Sequence, residues 1–306
     1  MNSLDAFFGG FDSASVTVGE TTVFCRRKGS GPPLLLLHGF PQTHLMWHAV
    51  APRLAEQFTV ICADLRGYGA SGKPESAPDH APYSKAAMAR DLVELMASMG
   101  FASFSVAGHD RGGRVAYRMA LDHADRIERI ALLDIIPTGE ALARADPRLA
   151  LSYWPWSLLS QPEPLPERLL TAEPAAIVDD ALTNWGSDPS SFPVAIHSAY
   201  VEALRDPQTA HAICEEFRAS VTLDRQADQR DRQASRQITQ RTLVLWAADG
   251  PLDTWYADVG GPLGVWRQWA PQAHGKALAG GHFFPEQNPE ETGNELIAFF
   301  TAPAST

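Results

Sequence analysis

The stretch Gly108-His109-Asp110-Arg111-Gly112 decides how this 306-residue chain folds. It follows a short, mostly apolar run at residues 104–107 and precedes a helical pattern over residues 114–121. Glycines on either side permit a sharp turn from a strand into a helix, and such a turn exposes the central side chain at the end of the strand. The stretch therefore predicts a nucleophile elbow with Asp110 as the nucleophile.

Short apolar runs of the same kind recur on both sides of this elbow. They alternate with helical patterns such as residues 84–99, where apolar side chains recur at helical spacing. An N-terminal hairpin and a last βαβ unit, which ends in a helix near residues 289–300, complete the pattern. The alternation predicts an α/β fold in which a mainly parallel sheet has helices on both faces. The predicted strands are residues 15–19, 21–28, 34–37, 60–62, 104–107, 130–133 and 242–246.

Residues 137–236 interrupt this rhythm. They are rich in Pro, Trp and helix formers, and no run among them resembles a parallel strand. We predict a helical cap inserted over the carboxyl ends of the strands, with residues 1–136 and 237–306 forming the α/β core. The charged end of this segment, residues 224–236, is typical of a solvated helix or linker.

The composition excludes several classes of function. The formal net charge is −11 and the basic residues are scattered, which argues against binding to nucleic acid. The chain shows neither a secretory signal pattern nor an apolar run of the roughly 18 residues that a membrane span needs. Three distant cysteines, Cys25, Cys62 and Cys214, form neither a disulfide framework nor a metal-binding spacing. We expect a cytoplasmic protein that acts on a small molecule without a metal or cofactor.

An aspartate in place of the usual serine at the elbow restricts the chemistry. A carboxylate that attacks a saturated carbon forms an ester with the enzyme, and water can hydrolyse that ester at the carboxyl carbon. A serine in the same attack would form an ether, which water does not readily cleave. Asp110 therefore predicts displacement at an sp³ carbon through a covalent intermediate, as in halide removal or epoxide opening.

The partners of this nucleophile are expected in the order nucleophile, acid, base along the chain. His282, within Gly280-Gly281-His282, is the candidate base that activates the hydrolytic water. The acid that orients it is Asp134, which we prefer, or Asp249, and each follows a predicted strand. Either aspartate could instead cap the element that follows it.

The stretch His38-Gly39-Phe40-Pro41 follows the apolar run 34–37 and predicts an oxyanion hole. The backbone N–H groups of Phe40 and Arg111 would face the charge that develops on Asp110 during ester hydrolysis.

Arg111 and Arg114 lie three residues apart at the start of the elbow helix, so their side chains can share a face. Cations at a helix N-terminus oppose the helix dipole, and an anionic partner offsets that cost. The partner is either a carboxylate on the substrate, which guanidinium groups bind well, or an acidic side chain elsewhere in the protein. If it is the substrate, a short 2-halo acid is favoured over a neutral haloalkane or epoxide.

With these residues placed, the chain resembles the haloacetate (fluoroacetate) dehalogenases of the α/β-hydrolase superfamily. The resemblance implies the α/β-hydrolase fold, a nucleophilic Asp110, binding of a substrate carboxylate by Arg111 and Arg114, and pairing of Asp134 with His282. It also implies a possible homodimer that forms through the caps. It is carried by residues 38–74, 108–123, 130–138, 157–170, 214–219 and 280–292.

Two positions depart from that family. Its fluoroacetate-active members hold the departing halide with a His, a Trp and a Tyr of the cap. Trp156 matches the Trp, whereas Pro155 and Phe217 stand in place of the His and the Tyr. Fluoride needs such donors most because it is small and strongly hydrated, so defluorination is expected to be weak. Trp154 and Trp185 are predicted to line the pocket.

Two other functions fit parts of the sequence. An epoxide hydrolase would share Asp110 and His282 and would use two cap tyrosines, for which Tyr153 and Tyr200 are candidates. A non-catalytic module could keep the fold and bind a carboxylate.

Overall fold

A central sheet of eight strands organises the molecule, and the computed structural model describes residues 3–303. The strand order is β1-β2-β4-β3-β5-β6-β7-β8. The pairs β1–β2 and β2–β4 are antiparallel, and all remaining pairs are parallel. The predicted α/β fold with its mainly parallel sheet is therefore confirmed. The strands are β1 (Asp12–Val18), β2 (Thr21–Lys28), β3 (Pro33–Leu37), β4 (Thr59–Ala63), β5 (Phe104–His109), β6 (Ile127–Leu133), β7 (Arg241–Ala247) and β8 (His274–Leu278).

Helices connect the strands and also fill the segment between β6 and β7. Among residues 3–303, no strand lies between Leu133 and Arg241. The helices are α1 (Ala51–Leu54), α2 (Lys85–Ser98), α3 (Asp110–Asp122), α4 (Thr138–Ala143), α5 (Pro147–Ser152), α6 (Trp154–Leu158), α7 (Leu165–Ala172), α8 (Pro174–Asn184), α9 (Val194–Arg205), α10 (Pro207–Ala219), α11 (Arg225–Gln233), α12 (Pro251–Trp255), α13 (Gly261–Trp266), α14 (Phe284–Gln287) and α15 (Pro289–Thr301). A π-helical turn, Ser220–Asp224, joins α10 to α11.

Burial on both faces explains why the central strands are mostly apolar. All residues of β4 and β5 are buried, as are all residues of β3 after Pro33. Parallel strands covered by helices on both sides need this composition, because neither face meets water. None of the helices within residues 3–303 combines the length and the apolar character needed to cross a membrane.

Helix α11 differs from the prediction of a solvated helix or linker. One of its faces is buried, since Asp228 accepts a hydrogen bond of 2.9 Å from the Tyr117 hydroxyl and Asp231 pairs with Arg118 at 2.5 Å. The two aspartates lie three residues apart and therefore share one face of the helix. The alternating charges concealed this role because their partners lie more than 100 residues away in the sequence.

The elbow has the strained geometry that its glycines permit. Asp110 adopts a φ of +44°, which is unusual for a residue with a side chain, and it begins helix α3. At Gly112, a Cβ atom would lie 2.4 Å from the carbonyl oxygen of His38. At Gly39, it would lie 2.4 Å from Cβ of Asp110. The elbow and the loop after β3 thus pack too closely for any side chain at these two positions.

We predict that Gly112→Ala destabilises the protein by about 1–3 kcal/mol, because the new methyl group overlaps the backbone of the loop after β3. The measurement is the free energy of unfolding in urea. Gly9→Ala is the control, since no atom lies within 4 Å of a Cβ placed there. Equal stability of the two variants would contradict the close packing.

Candidate active site

The Asp110 carboxylate lies at the carboxyl end of β5 and is only 8% exposed. Its Oδ2 accepts a hydrogen bond of 3.0 Å from the backbone N–H of Phe40. Burial alone would raise the pKa of this carboxyl, but electrostatic interactions, above all with His282 and with the guanidinium groups of Arg111 and Arg114, outweigh burial and lower the pKa below its ordinary value. Asp110 is therefore ionised at neutral pH, as a nucleophile must be.

His282 and Asp134 form a buried pair near Asp110. The distance from Nδ1 of His282 to Oδ2 of Asp134 is 2.6 Å, and Oδ1 of Asp134 accepts the N–H of Ala247 at 2.9 Å. The second ring nitrogen of His282, Nε2, is buried without a hydrogen-bond partner among the described residues. Asp249 is exposed, so Asp134 is the acid that contacts His282.

His109 supports His282 from behind, a role that the sequence interpretation missed. Its Nε2 donates to the carbonyl oxygen of His282 at 2.8 Å, and the two rings lie 4.6 Å apart. Burial, followed by the charge of His282, lowers the pKa of His109 to about 4. A neutral His109 thus fixes the loop that carries His282. The sequence feature that could have revealed this role is the position of His109 inside the elbow motif, directly before Asp110.

Arg111 is held by an acidic side chain of the protein. Its Nε donates to both carboxylate oxygens of Glu216 at 2.9 Å, and its Nη2 contacts Glu216 and Ser220. Glu216 is fully buried and also pairs with Lys85. The sequence left open whether Arg111 binds a substrate or an acidic residue, and at this edge of the guanidinium group the partner is Glu216.

The opposite side of Arg111 remains unpaired. Its Nη1 is buried and has no hydrogen-bond partner among the described residues, and the same holds for Nε of Arg114. Nη1 of Arg114 donates to the carbonyl oxygen of Ile136 at 2.9 Å. The guanidinium carbon of Arg114 lies 4.5 Å from the ring centre of Trp156, and that of Arg111 lies 4.1 Å from the ring centre of Phe217. Two oriented cations therefore keep free N–H donors.

A cavity lies between Asp110, Arg114 and His282 on one side and side chains from residues 137–236 on the other. About 30 Å³ within it is free to the centre of a water molecule, so it is suited to a small ligand. Arg111 and Trp154, both predicted to belong to the site, are not among the residues that line the cavity, and the indole N–H of Trp154 donates to Asp180 at 2.6 Å. The lining residues include Phe40, Asp110, Arg114, Asp134, Tyr153, Pro155, Trp156, Trp185, Phe217 and His282.

The two tyrosines considered for epoxide opening have different environments. Tyr200 donates to both carboxylate oxygens of Glu286 at 3.2 Å, and it is not among the residues that line the cavity. Tyr153 lines the cavity, and its hydroxyl has no hydrogen-bond partner among the described residues. Only one of the pair can therefore act on a ligand.

Side chains that could bind a metal ion are not grouped within residues 3–303, where no three His, Cys, Asp or Glu residues lie close enough to hold one.

Comparison with known proteins places this site in a family context. The family model for the α/β-hydrolase fold matches residues 32–289. A fluoroacetate dehalogenase from Burkholderia sp. is 42% identical over 96% of this chain and 95% of its own length. A soluble epoxide hydrolase from Corynebacterium sp. strain C12 is 30% identical over 89% of this chain and 91% of its own. The solved structure of an α/β-hydrolase from Nostoc sp. PCC 7120 has a TM-score of 0.93 and 42% identity, and the match covers 97% of this chain and 100% of that one.

We predict that Glu216→Gln destabilises the protein by about 3–5 kcal/mol, because it leaves the buried Arg111 guanidinium group without a counter-charge. The measurement is again the free energy of unfolding. Glu202→Gln is the control, since that side chain is 76% exposed and its ion pair with Arg205 contributes about 1 kcal/mol or less. If the two variants were equally stable, Glu216 would not be the partner that Arg111 requires.

Proposed function

The chain belongs to the α/β-hydrolases and, within them, to the haloacetate dehalogenase-like family, and we propose that it hydrolyses the carbon–halogen bond of short 2-halo carboxylic acids. One observation carries the proposal. An ionised aspartate at the elbow faces a small cavity beside two guanidinium groups whose remaining N–H donors are unpaired. The aspartate accounts for attack on a saturated carbon, and the arginines account for an acid as substrate.

Unpaired donors on two buried cations favour a carboxylate ligand. A buried N–H without an acceptor costs about 1–3 kcal/mol, and more on a charged group, so a ligand that supplies an acceptor is bound favourably. Nη1 of Arg111 and Nε of Arg114 are both such donors. A carboxylate has two oxygens and can accept from both side chains at once.

In the first step, an oxygen of Asp110 attacks the carbon that bears the halogen. The carbon–halogen bond breaks, its electron pair leaves with the halide, and an ester joins Asp110 to the substrate carbon. Arg111 and Arg114 orient the substrate carboxylate, which brings the reacting carbon to the nucleophile. Because the cationic surroundings keep Asp110 ionised, no base is needed for this step.

In the second step, water attacks the carboxyl carbon of Asp110. His282 accepts the proton of this water through Nε2, the nitrogen that has no partner, while Asp134 holds Nδ1 and stabilises the imidazolium form. The tetrahedral intermediate then expels the hydroxy acid, whose oxygen recovers the proton from His282, and the second proton of the water leaves the re-formed carboxyl group of Asp110 for the solvent.

The oxyanion of that intermediate requires donors at the elbow. The N–H of Phe40 already lies 3.0 Å from Oδ2 of Asp110. The N–H of Arg111 lies in the first turn of α3, where backbone donors have no partner within the helix. We propose that these two groups stabilise the developing charge.

We further propose that residues 137–236 act as the cap over the active site, since Tyr153, Trp156, Trp185 and Phe217 all reach the cavity from this segment.

We also propose that the protein forms a homodimer through the outer surface of this cap. Every large apolar side chain that is strongly exposed within the described part of the chain lies on the cap, namely Leu151, Leu165, Leu169 and Val194. A dimer of caps in the cytoplasm would cover these side chains.

Epoxide hydrolysis is the second candidate, because it uses the same nucleophile and a relative with that activity is 30% identical. Two observations disfavour it. Tyr200 is hydrogen bonded to Glu286, and a neutral epoxide gives the two arginines no partner. Turnover of styrene oxide without turnover of any haloacetate would decide for this candidate.

We predict that bromoacetate alkylates Asp110 and that His282→Ala accumulates the ester, because this variant lacks the base for hydrolysis. Mass spectrometry of the peptide that contains Asp110 detects the adduct. Asp110→Asn is the control and should remain unmodified. An unmodified peptide in the His282→Ala variant would contradict the proposed function.

We predict that fluoroacetate reacts at least about 100-fold more slowly than bromoacetate, since Pro155 and Phe217 give the departing fluoride no hydrogen bond and each bond to an anion contributes about 1.5–3 kcal/mol. Release of the two halides is measured with ion-selective electrodes. Phe217→Tyr should raise the rate for fluoroacetate relative to that for bromoacetate. Equal rates for the two substrates in the unaltered protein would show that these positions do not control fluoride release.

A further inference from the structure

The cap wall of the cavity contains a hydroxyl group that the steps above do not use. We propose that the Tyr153 hydroxyl donates a hydrogen bond to the departing halide, beside the indole N–H of Trp156, in place of the donors missing at positions 155 and 217. This inference rests on the proposed function and identifies a further catalytic residue for it.

Burial of this hydroxyl without a partner is the first observation. Tyr153 is 9% exposed, and its Oη atom has no hydrogen-bond partner among the described residues. A buried hydroxyl of this kind costs about 1–3 kcal/mol of stability. Two other buried tyrosines, which lie outside the cavity, have hydrogen-bonded hydroxyl groups: that of Tyr83 donates to the carbonyl oxygen of Pro74, and that of Tyr200 donates to Glu286. An acceptor supplied by the reaction accounts for the difference.

Elimination of the other donors is the second observation. Trp185 lines the cavity, but its indole N–H donates to the carbonyl oxygen of Ser152 at 2.6 Å. Trp255 and Tyr256 also line a neighbouring surface pocket, so they lie towards the mouth of the cavity. The arginines serve the carboxylate and His282 serves the water. Trp156 and Tyr153 remain for the leaving group.

The surroundings of Tyr153 place it over the reacting groups. Its ring centre lies 6.0 Å from that of His282 in an edge-on contact and 5.4 Å from that of Trp185 in a tilted contact. Burial, followed by the negative charges of Asp134 and Asp110, raises the pKa of Tyr153 far above its ordinary value. The hydroxyl therefore stays protonated and remains a donor at neutral pH.

The hydrogen bond changes the energy of the first step only. As the bond from Asp110 to carbon forms, the carbon–halogen bond breaks and negative charge grows on the halogen. Tyr153 keeps its proton and shares it with the halide, which departs as an anion. In the second step the halide is no longer attached, so Tyr153 has no part in it.

The test is Tyr153→Phe, studied in single turnovers with iodo-, bromo- and chloroacetate. We expect ester formation on Asp110 to slow about 10–100-fold with chloroacetate, and progressively less with bromo- and iodoacetate, because the larger halides need a hydrogen bond less. Hydrolysis of the ester should be unchanged. Tyr83→Phe, which removes a paired buried hydroxyl outside the cavity, should leave both rates unchanged. Thermal unfolding verifies that both variants are folded.

An unchanged rate of ester formation in Tyr153→Phe would overturn the inference. An equal reduction of that rate for all three haloacetates, together with slower ester hydrolysis, would overturn it as well. Adding Phe217→Tyr to Tyr153→Phe supplies a second measurement, because a new cap hydroxyl should recover part of the loss with chloroacetate. If the unaltered protein forms no ester on Asp110, the proposed function itself fails, which separates that failure from a failure of the role of Tyr153.

Discussion

A buried carboxylate that must remain ionised is the constraint on which the rest of this structure depends. Removing Asp110 from water favours its protonated form, and a protonated acid is not a nucleophile. The protein meets this requirement through the electrostatic influence of His282, Arg111 and Arg114 and through the N–H of Phe40. Each of these groups is itself buried, so the cost of desolvation passes from Asp110 to its neighbours.

The same constraint explains the charges behind the site. Burial lowers the pKa of Arg111 to about 10, and the guanidinium group is stabilised by Glu216, which in turn contacts Lys85. Glu216 occupies only one edge of Arg111, so the pairing fixes the direction of the group and leaves Nη1 free. An arginine held in this way is oriented before the substrate arrives, which reduces the entropy lost on binding. The ion pair with Glu216 is thus compatible with the substrate binding proposed for Arg111, although the sequence presented the two as alternatives.

Buried polar contacts also hold helix α11 against helix α3. Asp228 and Asp231 of α11 bind Tyr117 and Arg118 of α3, the helix that begins at Asp110. Helix α11 therefore packs on the same helix that begins at the elbow. Tyr153, Trp156 and Phe217, which come from the same segment between β6 and β7, line the cavity together with Asp110.

The sequence by itself determined the sheet, the elbow and the aspartate at its centre. These follow from local patterns, because apolar runs mark buried strands and glycines around Asp110 permit a turn that few other residues allow. Only the tertiary structure decided between Asp134 and Asp249, revealed Glu216 and His109, and separated Tyr153 from Tyr200. Each of these rests on partners more than 80 residues apart or on the direction of a side chain within the cavity. Such contacts arise from the packing of distant elements, and neither composition nor spacing along the chain records them.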